Sequence, residues 1–363
     1  MVSEKVTSRH AIVVLILFIF GSSVVAGVNT EAKQDSWIAL IAAVFLSIPI
    51  LLIYARIIKL YPGLGLYEIV EKLFGKIGGK IITLIMAWYS LHLGAIVLRN
   101  FSEYINITTL LNTPQILIVI MLLLVTIYIA RSGPYILGSW SIVGLMLIIL
   151  MVLISVVFSF NRIDIQNIFP IMGSGFKKVT SGTINIISFP FAETVLLLPF
   201  ACFLKKSDSP YKIYMYGLLF GGIILLIIIM RNLTVLGADM MYQSYFPSFT
   251  AARVIEVGNF LTRVEGLITI NFIIAGITKI TVCLISFALA IARILSINNY
   301  KRVVMPSALL FLALSTIIYN NTSEMKNFTN VYPFYAATFQ LIIPLIIWIT
   351  AEIKKKQEVA LIN

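Results

Sequence analysis

Charged side chains are scarce in this chain: Asp, Glu, Lys and Arg together make up 12% of its 363 residues. Soluble domains carry about 25% charged residues, whereas 60% of this sequence is hydrophobic and its mean hydropathy is +1.01. Uninterrupted apolar runs of roughly 20 residues, the length that crosses a hydrocarbon core, recur along the whole chain. This composition excludes a soluble globular protein and predicts an all-α, polytopic membrane protein.

Metal-binding and catalytic side chains are also rare. The two cysteines, Cys202 and Cys283, lie in apolar runs without a C-x-x-C partner, and the two histidines, His10 and His92, are too few for a metal cluster. The sequence contains no nucleophile–base set and no cofactor motif. It therefore predicts neither a metal nor a cofactor, and no enzymatic activity.

Acidic residues are outnumbered, 15 against 27 Lys and Arg, which gives a formal net charge of +12. The basic residues lie in short turns between apolar runs, a pattern that indicates membrane topology and not nucleic-acid binding. If the N terminus is cytoplasmic, that face holds most of them, including the Lys354-Lys355-Lys356 tail. We therefore expect both termini in the cytoplasm and no nucleic-acid partner.

About ten transmembrane helices are predicted from the apolar runs. No linker long enough to separate two domains interrupts them, so residues 1–363 are expected to form a single integral membrane domain. The first run follows Lys5 and Arg9 as a secretion signal would, but the many later spans favour an uncleaved first helix. The predicted spans are approximately 10–28, 37–58, 79–104, 115–131, 139–160, 179–204, 212–237, 265–294, 303–320 and 331–352.

Two of these spans contain residues that interrupt helices. The first includes "FGSSVVAG", residues 20–27, and the sixth includes "SFPFAE", residues 188–193. Pro190 lacks a backbone N–H and its ring clashes with the preceding turn, while Gly21 permits unusual dihedral angles and close approach. Either break alone could be one of the kinks that are common in membrane helices. Two breaks that are five spans apart predict an inverted-repeat transporter fold.

The predicted repeats contain five spans each, so the second half inserts upside down relative to the first. The first repeat covers about residues 10–160, the second covers about 179–320, and a final helix covers about 331–352. In hydrocarbon, a break is tolerated only where protein or a polar cavity covers the freed backbone groups. Such groups, together with half-helix ends, can hold the two charged ends of a small zwitterion.

Two ionisable residues are predicted to lie at mid-membrane depth, where they are costly and usually functional. Glu193 follows Pro190 in the sixth span, and Lys279 is centred in the eighth. In one interpretation, the Lys279 ammonium replaces a coupling cation between the first and eighth spans. In the other, Glu193 and Lys279 neutralise each other and have a structural role. The sequence alone leaves both open.

Five stretches of the chain resemble the spore germination permeases, which are the B subunits of nutrient germinant receptors in endospore-forming bacteria. Their order and spacing match the family from about residue 8 to the C terminus. The stretches are "NTEAKQDSWIA" (29–39), "YPG" (61–63), "VLRNFSEYI" (97–105), "SFPFAE" (188–193) and "RVIEVGNFLTRVEG" (253–266).

This resemblance implies membership of the amino acid–polyamine–organocation transporter superfamily and a LeuT-like fold of two inverted five-helix repeats with broken first and sixth helices. It implies a ligand pocket between those helices, walled by the third and eighth spans. Partner A and C subunits, in the inner membrane of the spore, are also implied. The pocket residues carried over by position are Gly21, Ser22, Ser23, Val24, Tyr89, Leu93, Phe189, Pro190, Phe191 and Thr278.

Two functions share such a pocket. In the first, a nutrient, expected to be an amino acid, shifts the populations of two helix arrangements and triggers germination through partner subunits. In the second, the chain transports an amino acid coupled to an ion or a proton. The family resemblance favours sensing, whereas Glu193 and Lys279 would also suit coupled transport. A structural subunit with a vestigial pocket is a third possibility.

Overall fold

Long apolar helices make up nearly all of the computed structural model, which describes residues 5–26, 30–254, 265–319 and 321–360. Within these ranges, 8 helices are long and apolar enough to cross a membrane, and two shorter apolar helices coincide with the predicted first and ninth spans. Each of the ten predicted spans therefore has a helical counterpart. This part of the chain forms an all-α membrane protein.

The α-helices are numbered in chain order, and two of the spans are composite. The sixth span continues from α6 through a π-helical turn, Ile187–Phe191, into a 3-10 helix, Ala192–Phe203. The tenth joins α11 to α12 through a π-helical turn, Thr338–Ile342. The helices are α1 (Ser8–Ala26), α2 (Ser36–Leu60), α3 (Leu66–Thr108), α4 (Gln115–Ser132), α5 (Pro134–Ser159), α6 (Phe176–Ile186), α7 (Pro210–Gln243), α8 (Pro247–Val254), α9 (Glu265–Ile294), α10 (Val304–Ile317), α11 (Thr322–Ala337) and α12 (Ile343–Ala360).

The first span does not show the predicted break. Helix α1 is continuous from Ser8 to Ala26, and Gly27 lies outside the described residues. The Ser23 hydroxyl donates to the Ile19 carbonyl at 2.8 Å, so it is satisfied within the helix. Gly21 is used for close packing: a Cβ there would lie 2.8 Å from Lys279 Cδ. The prediction of a broken first helix is wrong for the described part of this span, because the glycine allows close approach without unwinding.

The sixth span is broken where the sequence predicted. Helix α6 ends at Ile186, and Phe189 has the extended dihedral angles φ −134° and ψ 106°. Pro190 follows within the turn, and the chain then continues as a 3-10 helix from Ala192. Because proline cannot donate a backbone hydrogen bond, the regular helical pattern is interrupted at this point.

Helix α9 lies at the centre of the bundle. It packs against α1, α3, α4 and α5, and α1 packs in turn against α7. Large apolar side chains on the outer helices, for example Leu124 and Ile317, are exposed, as expected for contact with lipid tails. The bundle therefore encloses α9 and the broken sixth span, which carry the two buried charges predicted from the sequence.

Candidate functional site

Glu193 and Lys279 form a buried ion pair. Glu193 lies in the first turn of the 3-10 helix that follows the break, Lys279 lies in α9, and both side chains are 0% exposed. The Lys279 ammonium donates to Glu193 Oε2. It also lies 5.0 Å from the ring centroids of Phe18 in α1 and Phe189 in the break, a cation–π distance. The two residues therefore pair, and the ammonium sits where α1, α9 and the sixth span meet.

The second carboxylate oxygen of Glu193 accepts a hydrogen bond from Tyr332 in α11. Since Tyr332 donates its only hydroxyl proton to Glu193, its oxygen accepts from the Tyr89 hydroxyl, 3.0 Å away in α3. A buried charge is tolerated when it is paired and its remaining oxygen is hydrogen-bonded. Glu193 meets both conditions through groups from two separate elements, Lys279 in α9 and Tyr332 in α11.

The hydrogen-bond chain continues to Gln340, in the π-helical turn of the last span. Gln340 Nε2 donates to the Tyr89 hydroxyl and to the Ser188 carbonyl, each at 2.8 Å, and the Ser188 hydroxyl donates to Gln340 Oε1 at 3.2 Å. On the other side, the Tyr54 hydroxyl of α2 donates to the Gln340 carbonyl at 2.5 Å, and the Ala192 carbonyl oxygen lies 3.2 Å from the same hydroxyl. The Ser188 carbonyl in the break is therefore bonded by a side chain of the last span, as burial in a membrane requires.

A cavity of about 310 Å³ opens above this network. Its walls come from α3, the sixth span, the end of α7 and α11, and its floor is formed by Phe189, Glu193 and Tyr332. Four α3 residues, Leu93, Ile96, Val97 and Asn100, share one helical face. The remaining lining residues are Glu31, Asn185, Tyr242, Ser244, Tyr245, Tyr319, Met325, Asn327, Phe328, Thr329, Asn330 and Pro333.

The structure places the predicted pocket residues in three environments. Leu93 and Phe189 line the cavity, while Tyr89 belongs to the hydrogen-bond network below it. Pro190 and Phe191 are buried in the turn, and the Thr278 hydroxyl donates to the Ile274 carbonyl of its own helix at 3.1 Å.

Two of the α1 candidates, Gly21 and Ser23, are not among the described residues that line the cavity. Gly21 lies against Lys279, and Ser23 is bonded within α1. The side chains of Ser22 and Val24 lie outside the described residues. The described lining of the cavity comes mainly from α3, the sixth span and α11. The ligand-binding roles of all these residues remain predictions.

Three residues of the network were not predicted from the sequence: Tyr54, Tyr332 and Gln340. Gln340 is a polar side chain within an apolar run, and this signal alone could have marked it. The tyrosines carry no such signal, because tyrosine is common both in cores and at membrane interfaces. Their partners lie 138 or more residues away in the chain, so only the tertiary structure reveals these contacts.

Comparison with protein families gives one match over most of the chain. A family model described as "Spore germination protein" matches residues 5–325. Spore germination protein KB of Bacillus subtilis (strain 168) is 26% identical over 362 residues, which covers 98% of this chain and 97% of that protein. The putative spore germination protein YfkT of the same organism is 24% identical and covers 89% of each chain.

Among solved structures, Mhp1 resembles the fold. It is a nucleobase-cation-symport-1 family transporter, solved in a closed conformation with bromovinylhydantoin bound. The TM-score is 0.68 at 13% sequence identity, and the match covers 91% of this chain and 75% of that one. At this identity the likeness concerns the fold alone, and it confirms the predicted LeuT-like transporter fold.

Proposed function

Because this chain belongs to the spore germination protein family, we propose that it is the membrane subunit of a nutrient germinant receptor. In this proposal, a small nutrient, an amino acid, binds in the cavity above the broken sixth span. Binding triggers germination through A and C partner subunits in the inner membrane of the spore, with both termini of this chain in the cytoplasm. The nutrient ligand and the partner subunits are proposed on the basis of the permease-like membrane fold.

The observation that carries the proposal is the position of the cavity above the ion pair. Its volume, about 310 Å³, lies at the lower end of the range for small-molecule sites. The three residues of its floor belong to different parts of the bundle. Phe189 lies in the break, Glu193 lies in the 3-10 helix and Tyr332 lies in α11. A solute in the cavity therefore contacts the groups that hold the last span against the sixth span and α9.

The nutrient can act as a switch if it binds one arrangement of the sixth span and α11 more tightly than another. A ligand shifts such an equilibrium only as far as it binds one arrangement more tightly than the other. Contacts with Tyr332 and Phe189 provide that difference, since moving α11 away from the sixth span would separate Tyr332 from Glu193. The movement of the last span would then be transmitted to a partner subunit.

The alternative function is ion- or proton-coupled amino acid transport. The LeuT-like fold and the buried cation at Lys279, which lies beside α1, favour this alternative. In a coupled transporter, Lys279 would take the place of a coupling cation. The same cavity would then serve as the outward-facing half of a transport path.

Binding and uptake measured on the same sample separate the two functions. The chain is purified, reconstituted into vesicles, and incubated with labelled L-alanine and a panel of other labelled amino acids. Saturable binding without concentrative uptake supports the sensor, and concentrative uptake driven by an ion gradient supports the transporter. Absence of binding across the panel would contradict both.

A further inference from the structure

The membrane-crossing part of α3 begins at a sharp bend. Gly75 has a positive φ of 73° with ψ −178°, a conformation that residues other than glycine rarely adopt. A Cβ atom built on Gly79 would lie 2.5 Å from Glu71 Cα, so the segment before the bend packs tightly against the segment after it. Because the apolar run of the third span starts at about residue 79, residues 76–80 lie where hydrocarbon gives way to water.

An exposed apolar stripe runs along α3 from the same bend. Its members are three or four positions apart and therefore share one face of the helix. They are Ile77, Ile81, Leu84 and Trp88, which are 79%, 55%, 60% and 47% exposed. A contiguous apolar surface of this kind marks contact with a membrane or with another protein. At hydrocarbon depth, the stripe provides a surface along which acyl chains can pack.

Two lysines lie at the end of this stripe, beside the bend. Lys80 is four positions before Leu84 and Lys76 is four positions before Lys80, so the lysines continue the row of exposed residues along the helix. Both are exposed, and neither forms an ion pair or a side-chain hydrogen bond with the described residues. A lysine in such a position lays its stem along apolar surface and presents its ammonium group at headgroup level.

The acidic side chains before the bend are engaged elsewhere. Glu71 pairs with Arg293 of α9 at 2.6 Å, and Glu68 accepts a hydrogen bond from a backbone N–H at the start of α3, at 2.9 Å. The basic tail of α12 lies at the same end of the bundle, because Lys354 donates to the Leu73 carbonyl at 2.7 Å. The two free lysines are therefore available to an anion from outside the chain, in a basic part of the surface.

We propose that the lysines and the stripe together bind an anionic phospholipid. Its phosphate group accepts hydrogen bonds from the ammonium groups of Lys76 and Lys80, and its acyl chains lie along Ile77, Ile81 and Leu84. The lysines complement a negative headgroup, and the stripe adds an apolar contact that a soluble phosphate could not use. The inference is independent of the nutrient, because neither lysine is among the described residues that line the cavity.

Lipid titration tests the proposal on the whole chain, purified in an uncharged detergent. Binding of fluorescent phosphatidylglycerol is compared with binding of fluorescent phosphatidylcholine, whose headgroup has no net charge. Each lysine near an anionic lipid contributes about 5-fold in affinity, so we expect phosphatidylglycerol to bind roughly 25-fold more tightly. Added salt should reduce this preference, since exposed charges are screened. Glycerol 3-phosphate, which lacks acyl chains, should not displace the lipid at equal concentration.

Paired lysine variants locate the site. Lys76→Gln combined with Lys80→Gln should weaken phosphatidylglycerol binding about 25-fold and remove the preference over phosphatidylcholine. Lys76→Arg combined with Lys80→Arg keeps both charges and should keep the preference. Lys177→Gln combined with Lys178→Gln is the matched control, because it removes two exposed lysines near the start of α6 and should leave the affinity unchanged.

Several results would overturn this inference. Equal affinity for the two lipids, or equal losses in the two pairs of glutamine variants, would show that Lys76 and Lys80 do not select a lipid. Competition by glycerol 3-phosphate as strong as that by phosphatidylglycerol would indicate an anion site without a lipid surface. A photoreactive amino acid in place of Ile77, in membranes that contain the whole receptor, should give adducts of lipid mass. Adducts with a partner subunit or with a second copy of this chain would mean that protein covers the stripe.

Discussion

Gly21 in α1 and Lys279 in α9 lie in contact, and the absence of a side chain on Gly21 makes room for the lysine. A Cβ atom built on Gly21 would lie 2.8 Å from Lys279 Cδ and 3.1 Å from Lys279 Cβ. The stem of Lys279 therefore passes along α1 on its way to Glu193. This contact couples the first span to the broken sixth span through one buried ion pair.

Gly21→Ala should disturb the ion pair without unwinding α1. The added methyl group would press on the Lys279 stem, and overpacking of this kind typically costs about 1–3 kcal/mol. We expect a lower unfolding temperature in detergent and a weaker nutrient response in spores. Gly266→Ala in α9 is the control, because a Cβ there meets nothing within 4 Å. Equal behaviour of the two variants would show that the Gly21 contact is unimportant.

The Glu193–Lys279 pair should show strong coupling in a double-mutant cycle. Lys279→Gln leaves the Glu193 carboxylate buried without its cation, and breaking a buried pair in this way costs about 3–5 kcal/mol. Glu193→Gln leaves the ammonium unpaired in the same way. The double variant, in which neither charge remains, should be more stable than either single variant. The free energy of unfolding in mild detergent measures the coupling, and additive losses would mean that the two charges do not stabilise each other.

Tyr332→Phe should change nutrient sensitivity more than it changes stability. The substitution keeps the ring but removes the hydroxyl that donates to Glu193 and accepts from Tyr89, a loss of about 1–3 kcal/mol. Because Tyr332 joins the last span to the ion pair, the nutrient concentration for half-maximal germination should shift. Tyr67→Phe removes a buried hydroxyl that bonds Ser286 at 3.1 Å, outside this network, and serves as the control. A dose–response curve that moves equally in both variants would contradict a switching role for Tyr332.

Gln340→Leu should loosen the turn in the sixth span. Gln340 satisfies the Ser188 carbonyl and bonds the Tyr89 and Ser188 hydroxyls, and leucine can make none of these bonds. A buried carbonyl left without a partner costs about 1–3 kcal/mol. We expect faster hydrogen exchange across residues 187–193 and reduced response to nutrient. Gln115→Leu, which removes an amide bonded to Ser102 and Glu103 near the start of α4, should leave exchange in that stretch unchanged. Unaltered exchange at 187–193 in Gln340→Leu would contradict the role of Gln340.

The sequence predicted those features that depend on local chemistry. Eight of the ten predicted spans match helices long and apolar enough to cross a membrane, and the other two match shorter apolar helices, because apolar length follows directly from the thickness of the membrane. The break in the sixth span was also predicted, since Pro190 cannot complete a helical hydrogen-bond pattern wherever it lies. Glycine is ambiguous by comparison: Gly21 was expected to unwind α1, but it provides close approach to Lys279 within a continuous helix.

The features that depend on contacts between distant spans were only partly predicted. Glu193 and Lys279 were identified as unusual because charges are costly in a membrane, but their pairing depends on how α9 packs beside the break. Tyr332 was missed because its hydroxyl becomes significant only when α11 brings it to Glu193, 139 positions away in the chain. The described residues that line the cavity lie mainly in α3, the sixth span and α11, and the pocket expected between the first and sixth spans stays a prediction.

The most direct test of the account is whether nutrient occupies the cavity above the broken sixth span. Ile96→Cys places a thiol on the α3 wall of the cavity in a chain whose two cysteines, Cys202 and Cys283, have been replaced by serine. The rate of modification by a small thiol reagent is measured in membranes that contain the receptor, with and without a germinating nutrient. We predict that nutrient slows modification of Ile96→Cys but not of Ile171→Cys, a position that is exposed and is not among the described lining residues of the cavity. A nutrient that triggers germination but leaves the Ile96→Cys rate unchanged would contradict the account.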